Sequence, residues 1–148
     1  MLKKVLKHKV ILILSIIAIL IAGVVLMYNF GWRLWGFSSC VSPEYYMTLK
    51  YEINQNSVDI LYDKGYNKTR TLGYITTEKD GVLRIGIKYY EDDTGLFFDR
   101  GNSVDKLTIP FTDKPSKIIL CGDGHEIDIK DHINEEAYES IKDLITIW

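Results

Sequence analysis

The sequence predicts an N-terminal single transmembrane helix followed by a mainly antiparallel β domain, sandwich or barrel-like, with a C-terminal amphipathic helix. Three observations carry that prediction. Residues 10–28 hold no charge and almost no polar side chain. From Tyr45 onward apolar and polar residues alternate between turn signals, the period of half-buried strands. After Asn134 the apolar period lengthens to three and four residues, the period of a helix.

The apolar segment runs from Val10 to Tyr28. At about 1.5 Å per residue these 19 residues span roughly 28 Å as a helix, close to the ~30 Å of a bilayer's hydrocarbon core. Its many β-branched residues do not oppose a helix, because in lipid the backbone must satisfy its own hydrogen bonds. Lys3, Lys4, Lys7, His8 and Lys9 precede it and only Arg33 follows closely, which places the N-terminus in the cytoplasm and the chain after Tyr28 outside. Tyr28, Trp32 and Trp35, with Phe30 and Phe37, crowd the outer boundary, where amphipathic rings settle at a membrane interface. The organisation expected is therefore a basic cytoplasmic segment 1–9, a transmembrane signal anchor 10–28, an aromatic juxtamembrane segment 29–43 and an extracytoplasmic domain 44–148. Two other readings concern processing. A cleaved secretory signal has the same basic start, but the bulky aromatics and Arg33 suit a cleavage site poorly. A lipoprotein signal would end at Phe37-Ser38-Ser39-Cys40, with Phe where Leu is usual. All three deliver the same outside domain.

Charge divides the chain at the same place. Residues 1–40 carry five basic side chains and no acidic one, whereas residues 41–148 carry 13 Lys+Arg and all 20 Asp+Glu. The net charge of −2 is thus a cancellation of +5 against −7. An acidic domain is the wrong electrostatic partner for nucleic acid, and favours an envelope protein with a basic patch or a cationic peptide. Fourteen Lys against four Arg, with 20 Ile, suit AT-rich bacterial coding.

Within the domain, Tyr45, Met47, Leu49, Tyr51 and Ile53 alternate with Tyr46, Thr48, Lys50 and Glu52. Asn54-Gln55-Asn56-Ser57 makes a turn, and Val58, Ile60 and Tyr62 return as the second strand of a hairpin. A second hairpin turns at Asp80-Gly81, with Leu72 and Tyr74 before it and Leu83, Ile85, Ile87 and Tyr89 after it. Leu107–Phe111, Ile118–Cys121 and Ile127–Ile129 supply further strands, joined in part by the tight turn Gly122-Asp123-Gly124. Pro110 has no amide to donate, so its strand belongs at an edge or a bulge. About seven short strands result. The closing helix, 134–147, presents Ala137, Ile141, Leu144, Ile145 and Trp148 on one face, is capped by Asn134, and is expected to cover a face or end of the sheet. Trp148 and Ile145 on the membrane surface is the alternative.

Candidate chemistry is sparse. Asp123, His125, Glu126, Asp128, Asp131 and His132 form the densest set of potential metal ligands. On a strand, however, Glu126, Asp128 and His132 share a face with Lys130, while His125 lies opposite with Ile127 and Ile129, which is the pattern of a hairpin with a solvated face. No cofactor is implied. Asp92-Asp93-Thr94-Gly95, with Asp99 and Arg100, is a second acidic loop without a ligand spacing. Glu44, Glu52, Asp59 and Glu91 are carboxylates from which a glycosidase pair would have to be drawn. Cys121 lies four residues from His125, without the elbow that a nucleophile needs. Cys40 and Cys121 are a candidate disulfide; closing so long a loop contributes on the order of 4 kcal/mol in the chain-entropy model. Ten Tyr, among them Tyr45, Tyr46, Tyr51, Tyr62, Tyr66, Tyr74, Tyr89 and Tyr90, reflect strand propensity or an aromatic binding face. The function expected is a non-enzymatic binding or interaction module, with a carboxylate-using envelope hydrolase and an accessory subunit of a membrane complex as alternatives.

Overall fold

Leu2–Phe30 forms one α-helix (α1), so the helix starts well before the apolar segment and outlasts it by two residues. The structure, a computed structural model, describes residues 2–65, 69–91 and 103–144. The helix is long and apolar enough to cross a membrane, and its side chains from Lys9 to Phe30 are exposed. Its polar groups are returned to the helix itself. Ser15 donates to the Ile11 carbonyl at 2.9 Å and the Asn29 amide to the Val25 carbonyl at 2.8 Å. Each thereby places one donor on a backbone carbonyl of the helix rather than in the surroundings. A 3-10 segment, Gly31–Ser39, follows and is broken at Gly36, whose φ of 62° and ψ of −148° a side chain would resist.

Residues 37–148 form a second compact unit. Among the described residues seven strands build two sheets: β1 (Met47–Ile53), β2 (Ser57–Asp63), β3 (Thr69–Lys79), β4 (Val82–Glu91), β5 (Val104–Pro110), β6 (Lys117–Gly122) and β7 (His125–Asp128). The first sheet has the order β1-β2-β5 and the second β3-β4-β6-β7. Val58, Ile60, Tyr62 and Ile109 of the first pack against Leu83, Ile85, Ile87, Tyr89, Ile118 and Leu120 of the second. Two faced sheets with separate edges make a sandwich, not a closed barrel. Pro110 ends the edge strand β5, as its missing amide requires. Both two-residue turns take positive φ at both positions, 53° and 75° at Asp80-Gly81 and 46° and 80° at Asp123-Gly124, the twist that hairpins prefer.

Four features depart from simple alternation; the first is a register shift in β3 between Thr71 and Gly73, which leaves Leu72, expected on the apolar face, bulged and exposed. β4 and β6 pair in parallel, because β5 lies between them in sequence but in the other sheet. In β1, Thr48 pairs with Tyr62 and Lys50 with Leu61, so Leu49 is an extra, bulged residue. The bulge splits the expected face. Tyr46 and Thr48 are buried and Tyr51 and Ile53 border the main core, whereas Leu49 joins Leu61 and Val104 on the other side of the sheet. Finally, β7 stops at Asp128, whose carboxylate accepts the Lys130 amide and starts a 3-10 turn, Ile129–His132; the strand expected to continue through Ile129 ends there.

Leu49, Leu61 and Val104 explain the closing helix. α2 (Glu135–Ile141) lays Ala137, Tyr138 and Ile141 on them, covering the outer face of the first sheet. The Asn134 side chain accepts the Ala137 amide at 2.9 Å, the expected cap. Lys142–Leu144 continue as a 3-10 turn; Ile145 and Trp148 lie outside the described residues.

Candidate functional site

The predicted metal ligands do not converge. His132 turns inward: Nδ1 lies 2.9 Å from Thr48 Oγ1 and Nε2 lies 2.7 Å from the Pro43 carbonyl. A carbonyl only accepts, so Nε2 carries a proton and donates it to Pro43. Both ring nitrogens are thereby committed, and the ring meets Tyr46 edge-on at 5.3 Å. His125 Nδ1 instead faces Glu44 Oε1 at 3.3 Å on the surface. Glu126 Oε1 takes Arg84 Nε at 3.5 Å and the Cys121 thiol at 3.8 Å. Asp128 holds the Lys130 amide at 3.0 Å and Lys117 Nζ at 3.4 Å. Asp123 occupies the positive-φ turn, and Asp131 is exposed. Among the described residues, no three His, Cys, Asp or Glu side chains are grouped to hold a metal. Of the carboxylates weighed for hydrolysis, Asp59 is held by Thr108 at 2.7 Å and Lys106 at 3.2 Å. Asp92, Asp93, Asp99, Arg100 and Tyr66 lie outside the described residues.

The tyrosines divide between core and surface. Tyr46, Tyr62 and Tyr89 form one cluster between the sheets, Tyr62 and Tyr89 stacked at 6.0 Å and Tyr46 edge-on to both. Burial pushes all three phenols above their ordinary pKa, so they are neutral aromatic packing. The Tyr62 hydroxyl meets Thr71 Oγ1, which donates to Asp105 at 2.7 Å, and Lys64 Nζ meets Asp105 at 3.0 Å. This chain ties β2, β3 and β5 together. Nothing in the local alternation marked Lys64 as buried or Thr71 as its half-buried neighbour in this chain.

Residues 37–46 form a strap into the domain. The Val41 amide donates to the Ile87 carbonyl at 2.8 Å, Lys88 Nζ to the Ser39 carbonyl at 2.7 Å, and the Asp123 amide to the Phe37 carbonyl at 3.3 Å. Gly122 permits this approach: a Cβ there would stand 1.8 Å from the Val41 carbonyl oxygen. Cys40 and Cys121 are both buried near it as thiols, so the disulfide considered from sequence is not present in the structure. Of the interface aromatics, Tyr28 and Trp35 are exposed. Trp32 is only 6% exposed, its indole donates to the Asn29 carbonyl, and Arg33 lies over its ring at 5.3 Å.

A groove opens where β1 and α2 diverge. The Asn134 amide bonds the Thr48 carbonyl at 2.9 Å and Ile133 bridges to Thr48, after which the helix leaves the strand. The space between, about 490 Å³, is lined by Leu49, Lys50, Tyr51, Ile133, Glu135, Tyr138 and Glu139. That volume lies within the roughly 300–1,000 Å³ of ligand clefts. Lys50 Nζ stands 5.7 Å over the Tyr138 ring, so a cation of the chain itself already occupies that ring face. Comparison with family models, with curated proteins and with solved structures finds no match to this chain.

Proposed function

We propose that this protein is a single-pass membrane-anchored binding module, its N-terminus cytoplasmic and its β domain outside, that takes basic peptide segments in the β1–α2 groove. The groove's lining is the observation that carries the reading. Two tyrosine rings and the Glu135 carboxylate, with Glu139 paired to Lys142 and Lys50 at the rim, surround a short apolar floor of Leu49 and Ile133, a set suited to a Lys or Arg side chain with its aliphatic stem. The −7 charge of residues 41–148 favours the approach of such a ligand. Four lysines ahead of the apolar helix support the orientation.

Lys50 supplies the discriminating experiment, because it already occupies the Tyr138 face. The full chain, reconstituted in zwitterionic nanodiscs, is titrated with hexa-arginine and hexa-glutamate peptides. Lys50→Met vacates the ring and removes a like charge, so hexa-arginine binds several-fold tighter. Glu135→Gln and Tyr138→Ala bind it more weakly, and hexa-glutamate does not bind. Equal hexa-arginine affinity across all three variants refutes the groove as the site. Labelling by a membrane-impermeant reagent on whole cells tests the orientation separately.

A further inference from the structure

We infer that Cys40 and Cys121 are a disulfide-forming pair that staples the 37–42 strap to the second sheet. The Cys40 sulfur lies 2.7 Å from the point where a Gly86 Cβ would stand, and the Cys121 carbonyl oxygen lies 3.1 Å from the same point. The Cys40 sulfur, the Phe37 ring (Cδ1 at 2.7 Å) and the Cys121 carbonyl therefore crowd one backbone position of β4, which is open to them because Gly86 has no side chain. The next residues repeat the contact, Val41 against Gly122. Val41 thus packs on Gly122 beside Cys121, with its amide fixed to Ile87. The Cys121 sulfur makes two long thiol contacts, 3.7 Å to the Ile119 carbonyl of its own strand and 3.8 Å to Glu126 of β7, and also meets the Ile85 backbone of β4. Such contacts are weak and leave χ1 of Cys121 free to rotate.

The reaction is exchange with a disulfide donor such as oxidised glutathione. The Cys40 thiolate attacks one donor sulfur, the donor S–S bond breaks, and one donor thiol leaves. The Cys121 thiolate then attacks the Cys40 sulfur of that mixed disulfide and releases the second. Two electrons pass to the donor, and the two protein thiol protons end on its two thiols. Burial raises Cys40 to about 11 and Cys121 to about 12, so the closed fold presents almost no thiolate. The bond consequently forms while the strap is being laid down.

The outward placement proposed above enters only as the source of the donor, and the test does not depend on it. The full chain is reduced, unfolded in detergent and guanidinium, and refolded with reduced and oxidised glutathione. Peptide mapping without reductant then finds Cys40 linked to Cys121, with the mass lower by two hydrogens. The linked form melts roughly 10–20 °C higher than the reduced form, and dithiothreitol abolishes the difference. Cys40→Ser and Cys121→Ser lose both the link and the rise. The natively extracted chain, incubated with the donor in mild denaturant, acquires the same link more slowly. A refolded product that melts cooperatively while both cysteines alkylate, or each carries its own glutathione, overturns the inference. So does a link that brings no rise in melting temperature.

Discussion

Asp105→Asn is the sharpest probe of the tie between the sheets. Lys64 is 7% exposed at its side chain and Asp105 is 35% exposed, so the pair is buried at the cation end and wet at the anion end. Exposed pairs contribute about 0.2–1 kcal/mol. Removing one partner from a fully buried pair costs about 3–5 kcal/mol. The two single changes should therefore be unequal. Asparagine keeps an oxygen to accept from Thr71 but leaves the Lys64 ammonium without a counter-charge in a site closed to water, a cost of about 2 kcal/mol. Lys64→Met leaves a carboxylate that water still reaches, a cost of about 1 kcal/mol. For a domain of this size these convert to falls in Tm of roughly 8–10 °C and 4 °C. Thermal melting followed by near-ultraviolet circular dichroism, which reports the Tyr62–Tyr89 stack, measures both. The double variant should lose less than the sum of the single losses. A loss under about 2 °C for Asp105→Asn, or the reverse order, refutes the assignment of a buried charge pair.

Two further predictions concern acid stability and the strap. The Thr108 hydroxyl, helped by Lys106 and opposed by burial, holds the Asp59 carboxyl below its ordinary 3.8. A carboxyl lowered in the folded state adds stability above its unfolded pKa and loses it as pH falls through the folded one. Stability should thus drop as pH falls below 3.8, and Thr108→Val should flatten that limb of a Tm-against-pH series; an unchanged limb refutes it. At the β6–β7 turn, Gly124 has φ +80° with open space around it, whereas a Gly122 Cβ meets backbone at 1.8 Å. Gly124→Ala should cost about 1 kcal/mol through conformation alone, and Gly122→Ala about 3 kcal/mol or more through displacement of the strap. Denaturant midpoints compare them, and equal midpoints would mean the strap does not fix Gly122.

Much of the fold was legible in the sequence because its signals are local. The alternation at Leu83, Ile85, Ile87 and Tyr89 follows from the pleat, Asp80-Gly81 from the twist of a hairpin, Pro110 from its missing amide, and Asn134 from its capping oxygen. What escaped was set by partners distant in the chain. The Leu49 bulge depends on β2 opposite it and on the helix 90 residues later that needs Leu49 beneath it. The parallel pairing of β4 with β6 depends on β5 having left for the other sheet. His132 read as a ligand because histidine near carboxylates is a chemical signature in sequence. Its partners in space, Thr48 and the Pro43 carbonyl, lie more than 80 residues away.

The same distinction explains why the groove announced itself by no motif. The residues that look reactive in the sequence are spent on holding the frame. His132 pins the strap at Pro43 to β1 at Thr48, Asp128 ends β7 and starts the turn that carries His132 inward, and Cys40 and Cys121 lie where the strap crosses Gly86. Once Thr48 is pinned, Ile133 and the Asn134 cap fix the point from which α2 departs, and the angle of departure leaves the space beside Lys50 and Tyr51. The groove wall then consists of ordinary strand and helix residues, two tyrosines and two glutamates, each unremarkable at its own position. A groove of this kind is specified by geometry, and the residues that specify it are ones whose chemistry stood out in the sequence for other reasons.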